Sequence, residues 1–270
     1  MTRATLTQPT SPTTVSLHTR VKPAAARDLG SPHDDVPAEG ETDRLAVTGR
    51  SVRQASIAAG VGLLVMAVLS GFGYLVAVKG VVVPANAART STNLAGHEGL
   101  FRCGILSLYL VAALDVVVGW ALYRVFKPVN NAVSRLAAWL RIAYAVVFVV
   151  AISQLVAALR LPAQALEHIN TFTTIWDAGL VLFGLNLVVL AYLAYRSGYV
   201  PKLLGVLLAI AGFGYIFDTV VRVLVRGSSS DVSAFTGMGE FVFALWLVIR
   251  GRRITVSGSA SHDNSIGAAR

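Results

Sequence analysis

Residues 98–141 read EGLFRCGILSLYLVAALDVVVGWALYRVFKPVNNAVSRLAAWLR. This is a long apolar run with Asp115 inside it, a tight basic turn from Arg124 to Asn130, and a second apolar run that carries Arg141. Each run is long enough to cross a hydrocarbon core of about 30 Å, which takes about 20 helical residues. Pro128 stops the first helix, and Asn130 or Asn131 can cap the next. The turn between them is short, so the two helices must be antiparallel neighbours. The stretch reads as a membrane hairpin that holds ionisable groups inside the bilayer.

The whole chain agrees with that reading. Hydrophobic residues make up 55% of the 270 residues and charged ones only 14%, with a mean hydropathy of +0.65. Globular domains carry about 25% charged residues. The class is an integral membrane protein with one all-helical membrane domain. The net charge of +9 does not point to nucleic acid, because residues 1–50 hold six basic and six acidic side chains and the excess lies between apolar runs. Positive charge in that place sets membrane orientation. The single Cys103 excludes an intramolecular disulfide. Residues 1–50 are rich in Thr, Ser, Pro and charge, and the expectation is a disordered tail without a secretory leader. Residues 254–270 read as a second tail.

Six spans are expected, at about 56–78, 100–123, 132–159, 173–195, 201–225 and 234–249. The first pairs small residues at helical spacing, Ala58 with Gly62 and Ala67 with Gly71, which suits either internal packing or a dimer. Gly73 and Tyr74 are expected to loosen its end. Lys79 to Gly99 and Arg160 to Phe172 read as loops. Gly198 suits a left-handed helix cap, and Pro201 suits the start of the next span. Lys and Arg on alternating sides number 11 against 5, the 11 lying with the termini and the Arg124 and Arg196 turns. Both termini are therefore expected in the cytoplasm of a cell membrane.

A helix rises about 1.5 Å per residue, so distance from a span's end gives depth. Asp115, Arg141 and Asn186 fall at one inner level, and Asp115 with Arg141 forms the obvious ion pair, since an unpaired charge there is costly. Glu98, Arg102, Asp177, Asp218, Arg222 and Glu240 form an outer layer. Glu98 with Arg102 and Asp218 with Arg222 are spaced i to i+4 and can pair within their own helices. That leaves Asp177 and Glu240 as surplus carboxylates. The layer suggests an outward-facing polar cavity, lined by spans two, four, five and six, for a small charged ligand, an ion or protons. The competing reading is that the pairs only lock helices together. The five His all fall outside the expected spans with no metal-ligand spacing, and no nucleotide-binding loop occurs, so no metal, cofactor or catalytic residue is expected.

Glu98-Gly-Leu-Phe-Arg102, Asp115-Val116, Leu122-Tyr123, Lys127-Pro128-Val129-Asn130 and Arg141 together resemble the domain-of-unknown-function family 4386 of bacterial integral membrane proteins. Phe183-Gly184-Leu185-Asn186, Tyr195 to Tyr199 with Pro201, Gly205, Gly212 and Asp218, and Gly239-Glu240 before Leu245-Trp246-Leu247 continue the likeness across about residues 53–251. The resemblance implies a six-helix membrane protein without an assigned activity. Family members often have His where this chain has Asn186, so a proton-handling role at that position is not implied here. The function expected is ligand or ion binding by a transporter-like element or sensor. The alternatives are an accessory protein that docks a partner subunit and, third, an intramembrane enzyme.

Overall fold

The computed structural model describes residues 39–225 and 238–251, with side chains from residue 52 onward. Helix α1 spans Glu39–Ser70 and continues as a π-helix over Gly71–Val78. Then follow α2 (Ala87–Gly96), α3 (Glu98–Phe126), α4 (Asn131–Arg160), a 3-10 turn (Pro162–Gln164), α5 (Ala165–Arg196), α6 (Lys202–Leu224) and α7 (Met238–Ile249). Helix α1 thus begins inside the stretch read as a tail. The rest of that stretch and the 254–270 tail lie outside the described residues.

The long helices form a ring in the order α1, α3, α4, α5, α6, α7, and α7 closes it against α1. Five of them are long and apolar enough to cross a membrane, whereas α7 has 12 described residues. At about 1.5 Å per residue, those 12 reach about 18 Å. The outward faces carry bulky apolar groups such as Trp120, Trp139, Phe213 and Val223. Exposure of that kind all around a bundle is what lipid, and not water, accommodates. The chain is membrane-embedded.

One end of the ring, here the turn end, holds residues 127–130 and 197–201. Asn130 caps α4 by accepting from the Val133 amide at 3.1 Å. Gly198 sits at φ +72 after α5, a conformation that a side chain would strain. Tyr199 ties the two turns together: its hydroxyl donates to the Val125 carbonyl at 2.7 Å and its ring stacks on Phe126. Burial pushes the Tyr199 phenol above its ordinary range, so it remains a donor. Tyr199→Phe should lower stability by about 1 kcal/mol, read by thermal unfolding in detergent. Around this end Arg124 lies over Trp120, Arg196 over Tyr192 and Lys202 over Tyr195, forming an aromatic and basic belt.

The opposite, loop end departs from expectation in two places. The polar segment after Lys79 contains the ten-residue helix α2, capped by the Asn86 side chain on the Arg89 amide at 2.9 Å. Thr90 and Leu94 turn inward, and Thr90 Oγ1 accepts from the Val83 amide at 3.0 Å. A polar segment this short reads as a loop because only two of its side chains need burial. Helix α5 also starts at Ala165, eight residues before the expected span. His168 therefore lies in a helix, facing Gln154 at 3.1 Å, and not in a loop.

Helix packing relies on backbone approach. A Cβ at Gly184 would lie 2.7 Å from the Gly212 carbonyl oxygen, and one at Gly212 equally near the Gly184 oxygen, so α5 and α6 cross at their backbones. On α1 the tight positions are Gly60, against the Ala244 carbonyl of α7, and Gly62, where a Cβ would lie 2.5 Å from the Val118 side chain of α3. Of the stripe expected there, Gly62 is thus a close helix contact, whereas Ala67 lines the cavity, Ala58 faces outward and Gly71 meets nothing; Ala55, Ala59 and Gly60 carry the rest of the small-residue packing.

Candidate functional site

A cavity of about 590 Å³ lies inside the ring and is lined by every one of its six helices. It reaches from Lys79, Asp177 and Arg222 near the loop end down to Asp115, Arg141 and Glu240. Apolar periodicity places the ring's inner faces, and the polar residues interrupt those faces at two depths.

At the deeper level, Arg141 Nη2 lies 2.9 Å from Asp115 Oδ1, with the two side chains 2% and 1% exposed. Gly119 gives the guanidinium its room. A Cβ there would touch Arg141 Cδ at 3.4 Å, so α3 can lie against the arginine's aliphatic stem. The guanidinium also faces the Phe183 ring, 5.4 Å from its centroid. Asn186 arrives at the same level from α5, and its Nδ2 donates to the Ala137 carbonyl at 2.7 Å.

Glu240 belongs at this level and not in the outer layer. It lies 9 residues before Ile249, much as Asp115 lies 11 before Phe126 and Arg141 lies 10 after Asn131. At about 1.5 Å per residue all three are about 13–17 Å from the turn end. The carboxylate interacts with Arg141 and Asp115 and shares a hydrogen bond with the Tyr215 hydroxyl. The sequence ruler misplaced it because it was anchored on the start of the last span. The helix leaves the turn end at Ile249, and that end fixes the depth.

The outer pairing also differs from the one spacing suggests. Arg222 forms an ion pair with Asp177 across the α5–α6 interface, where spacing suggests Asp218 one turn away. Asp218 is 1% exposed and does not line the cavity, whereas Arg222, one turn nearer the helix end, does. Asp177, taken as a surplus carboxylate, is thus partnered. Its carbonyl also accepts from Thr219 Oγ1 at 3.1 Å. Glu98 and Arg102 do pair, with Nε 2.8 Å from Oε1, but they are 50% and 62% exposed and face away from the cavity. The cavity is accordingly lined by all six ring helices and not by four.

Several buried polar atoms have no hydrogen-bond partner among the described residues: both Asp115 oxygens, Arg141 Nε, Glu240 Oε1, Asn186 Oδ1 and Ser134 Oγ. Asp115 Oδ1 nevertheless lies at ion-pair distance from Arg141 Nη2. Buried carboxylate oxygens left in that state are costly unless something else engages them.

The aromatic wall was not singled out by sequence reasoning. Tyr74 meets Trp176 edge-on at 4.8 Å, Trp176 lies 5.5 Å from Phe148, and Phe183 meets Tyr215 edge-on at 5.4 Å. Trp176 Nε1 donates to the Tyr144 hydroxyl at 2.9 Å. Aromatic residues inside apolar runs carry no signal of their own. Their spacing from the charges would have found two of them, since Tyr144 follows Arg141 by one turn and Trp176 adjoins Asp177. Tyr74 reaches the cavity from the π-helix, whose wider turns are common at functional sites. No group of three or more His, Cys, Asp or Glu side chains that could hold a metal ion converges among the described residues.

Comparison with known proteins gives relatives but no activity. An uncharacterized protein of Archaeoglobus fulgidus is 37% identical over 151 residues, which is 56% of this chain and 85% of the relative. No solved structure matches. The model of the family described as Domain of unknown function (DUF4386) matches residues 58–251, the stretch that holds the whole helical ring apart from the start of α1. The chain belongs to the DUF4386 family of membrane proteins, whose function is unassigned.

Proposed function

We propose that this is a six-span protein of the cell membrane whose central cavity opens to the outside and binds a small charged ligand or ion. Helix α7 supplies the sixth crossing. The 11-to-5 excess of Lys and Arg supports a turn end and both termini in the cytoplasm. One observation carries the ligand-binding reading. One cavity of about 590 Å³ joins an ion pair near the loop end to buried, incompletely bonded charges in the bundle's middle. Ligand pockets typically measure about 300–1,000 Å³ and combine apolar walls with a few convergent polar groups. Ionisable groups facing the interior of a membrane bundle mark such pathways.

A second reading has its own support. Asp115–Arg141 and Asp177–Arg222 are both closed pairs between neighbouring helices, as an accessory protein that only needs rigid helices would have.

The test uses accessibility in sealed vesicles. In a Cys103→Ala background, Ser70→Cys places a thiol on the cavity wall and Arg89→Cys places one in α2 at the loop end. Both should react with a membrane-impermeant, charged thiol reagent added outside. Reaction at position 89 alone would remove the cavity from the aqueous pathway, and reaction at neither until the vesicles are opened would invert the topology. Ligand- or proton-driven flux in proteoliposomes then separates a transporter from a sensor.

A further inference from the structure

The cavity's charge is balanced overall but not locally. Its lining holds Asp115, Asp177 and Glu240 against Lys79, Arg141 and Arg222. Near the loop end Arg222 is engaged by Asp177, and Lys79 lies over the Tyr74 ring at 5.0 Å. At the deep end two carboxylates, Asp115 and Glu240, face one guanidinium. Arg141 is already committed, to Asp115 Oδ1 on one side and to the Phe183 face on another. What remains unbonded there is mainly acceptor: Asp115 Oδ2 and Glu240 Oε1, against the single donor Arg141 Nε. An anion entering this end would meet two carboxylates in a low-dielectric interior, where like charges repel strongly.

The walls add a second constraint. Tyr74, Tyr144, Phe148, Trp176, Phe183 and Tyr215 line the same volume. A hard inorganic cation takes about six or more oxygen ligands and gains little from such walls. Aromatic faces do attract organic cations and also bury an apolar body.

We propose that the ligand is a monovalent organic cation, a protonated amine with an apolar or aromatic body, whose N–H groups are received by Glu240 Oε1 and Asp115 Oδ2 while its body lies against the Trp176 and Tyr144 wall. This rests on the reading of the cavity as a binding site and names the ligand class it takes. Glu240 is the discriminating residue, because its carboxylate adds the negative charge that Arg141 does not offset.

The experiment titrates the purified full chain in lipid nanodiscs with three probes of similar shape: phenethylammonium, hydrocinnamate and phenethyl alcohol. The readout is the emission of Trp176, identified by its loss in Trp176→Phe. The cation should bind at least about tenfold more tightly than either of the others, the difference expected of a hydrogen bond to a charged group. Glu240→Gln should remove that preference. Equal or tighter binding of the anion or the alcohol would overturn the cation assignment and leave the cavity as a site of another kind. An unchanged preference in Glu240→Gln would overturn it equally. No response to any probe would remove both the assignment and the binding-site reading. The wild-type comparison needs no variant to fold.

Discussion

Removing either member of the Asp115–Arg141 pair, as in Asp115→Ala or Arg141→Ala, should destabilise the protein by about 3–5 kcal/mol. The reason lies in burial rather than in the strength of the attraction: both side chains are at most 2% exposed, so a survivor is left as a charge in the middle of a membrane bundle. Thermal unfolding in detergent measures the loss. Reversing both charges together, Asp115→Arg with Arg141→Asp, should recover much of what each single reversal loses, since the two groups sit at one depth on adjacent helices. Failure to recover would mean that Arg141 is held by its other surroundings, the Phe183 ring and the space above Gly119. Replacing both by neutral groups, Asp115→Asn with Arg141→Met, is expected to cost far less than either single change, because no charge is then stranded. A double replacement that is as stable as the natural protein but no longer binds ligand would assign the pair to function.

The second large effect is expected at the α5–α6 crossing. Gly184→Val or Gly212→Val sets carbon where the facing backbone oxygen lies 2.7 Å away, and a backbone cannot swing aside as a side chain can. The helices must separate, at a cost of about 1–3 kcal/mol or more. The Asp177–Arg222 pair and the Phe183–Tyr215 contact span the same interface, so separation also pulls the cavity wall apart. The control is Gly99→Ala, in the first turn of α3, where an added Cβ meets nothing within 4 Å. It should leave the melting temperature unchanged or raise it slightly, as Gly→Ala in a helix does by up to about 1 kcal/mol.

The helices were legible because a membrane imposes a length and a hydropathy on anything that crosses it, and the turn at Lys127 to Asn130 carries its own stop and cap. The Asp115–Arg141 pairing was legible from depth alone, since the short turn fixes both helices to a common end. Rotation about the helix axis was not legible in the same way. Spacing allowed Asp218 to reach Arg222, but it could not say that Asp177 on the neighbouring helix α5 also meets it. The expected alanine and glycine stripe of α1 held only in part for the same reason: Gly62 packs against α3 while Ala58 faces outward. A helix surrounded by lipid and by protein is apolar on every side, so its buried face leaves no periodic mark. Glu240 was misplaced by its helix boundary, the least certain quantity in any reading of a span. The aromatic wall was invisible until neighbouring helices brought Tyr74, Tyr144, Trp176 and Tyr215 around one volume.

The ring closes by setting α7 between α1 and α6, which makes the last of the described helices to leave the ribosome a neighbour of the first. Asp115 and Arg141 come from consecutive helices and can neutralise each other as soon as that hairpin is inserted. Glu240 enters only with α7. Until then the bundle is a five-helix arc, open toward lipid on one side, with its Asp115–Arg141 and Asp177–Arg222 pairs already present. Insertion of α7 therefore does two things in one step: it seals the arc and delivers a second carboxylate to the deep end beside Arg141. A chain interrupted before Met238 would hold the Asp115–Arg141 pair and lack the carboxylate on which the proposed ligand depends.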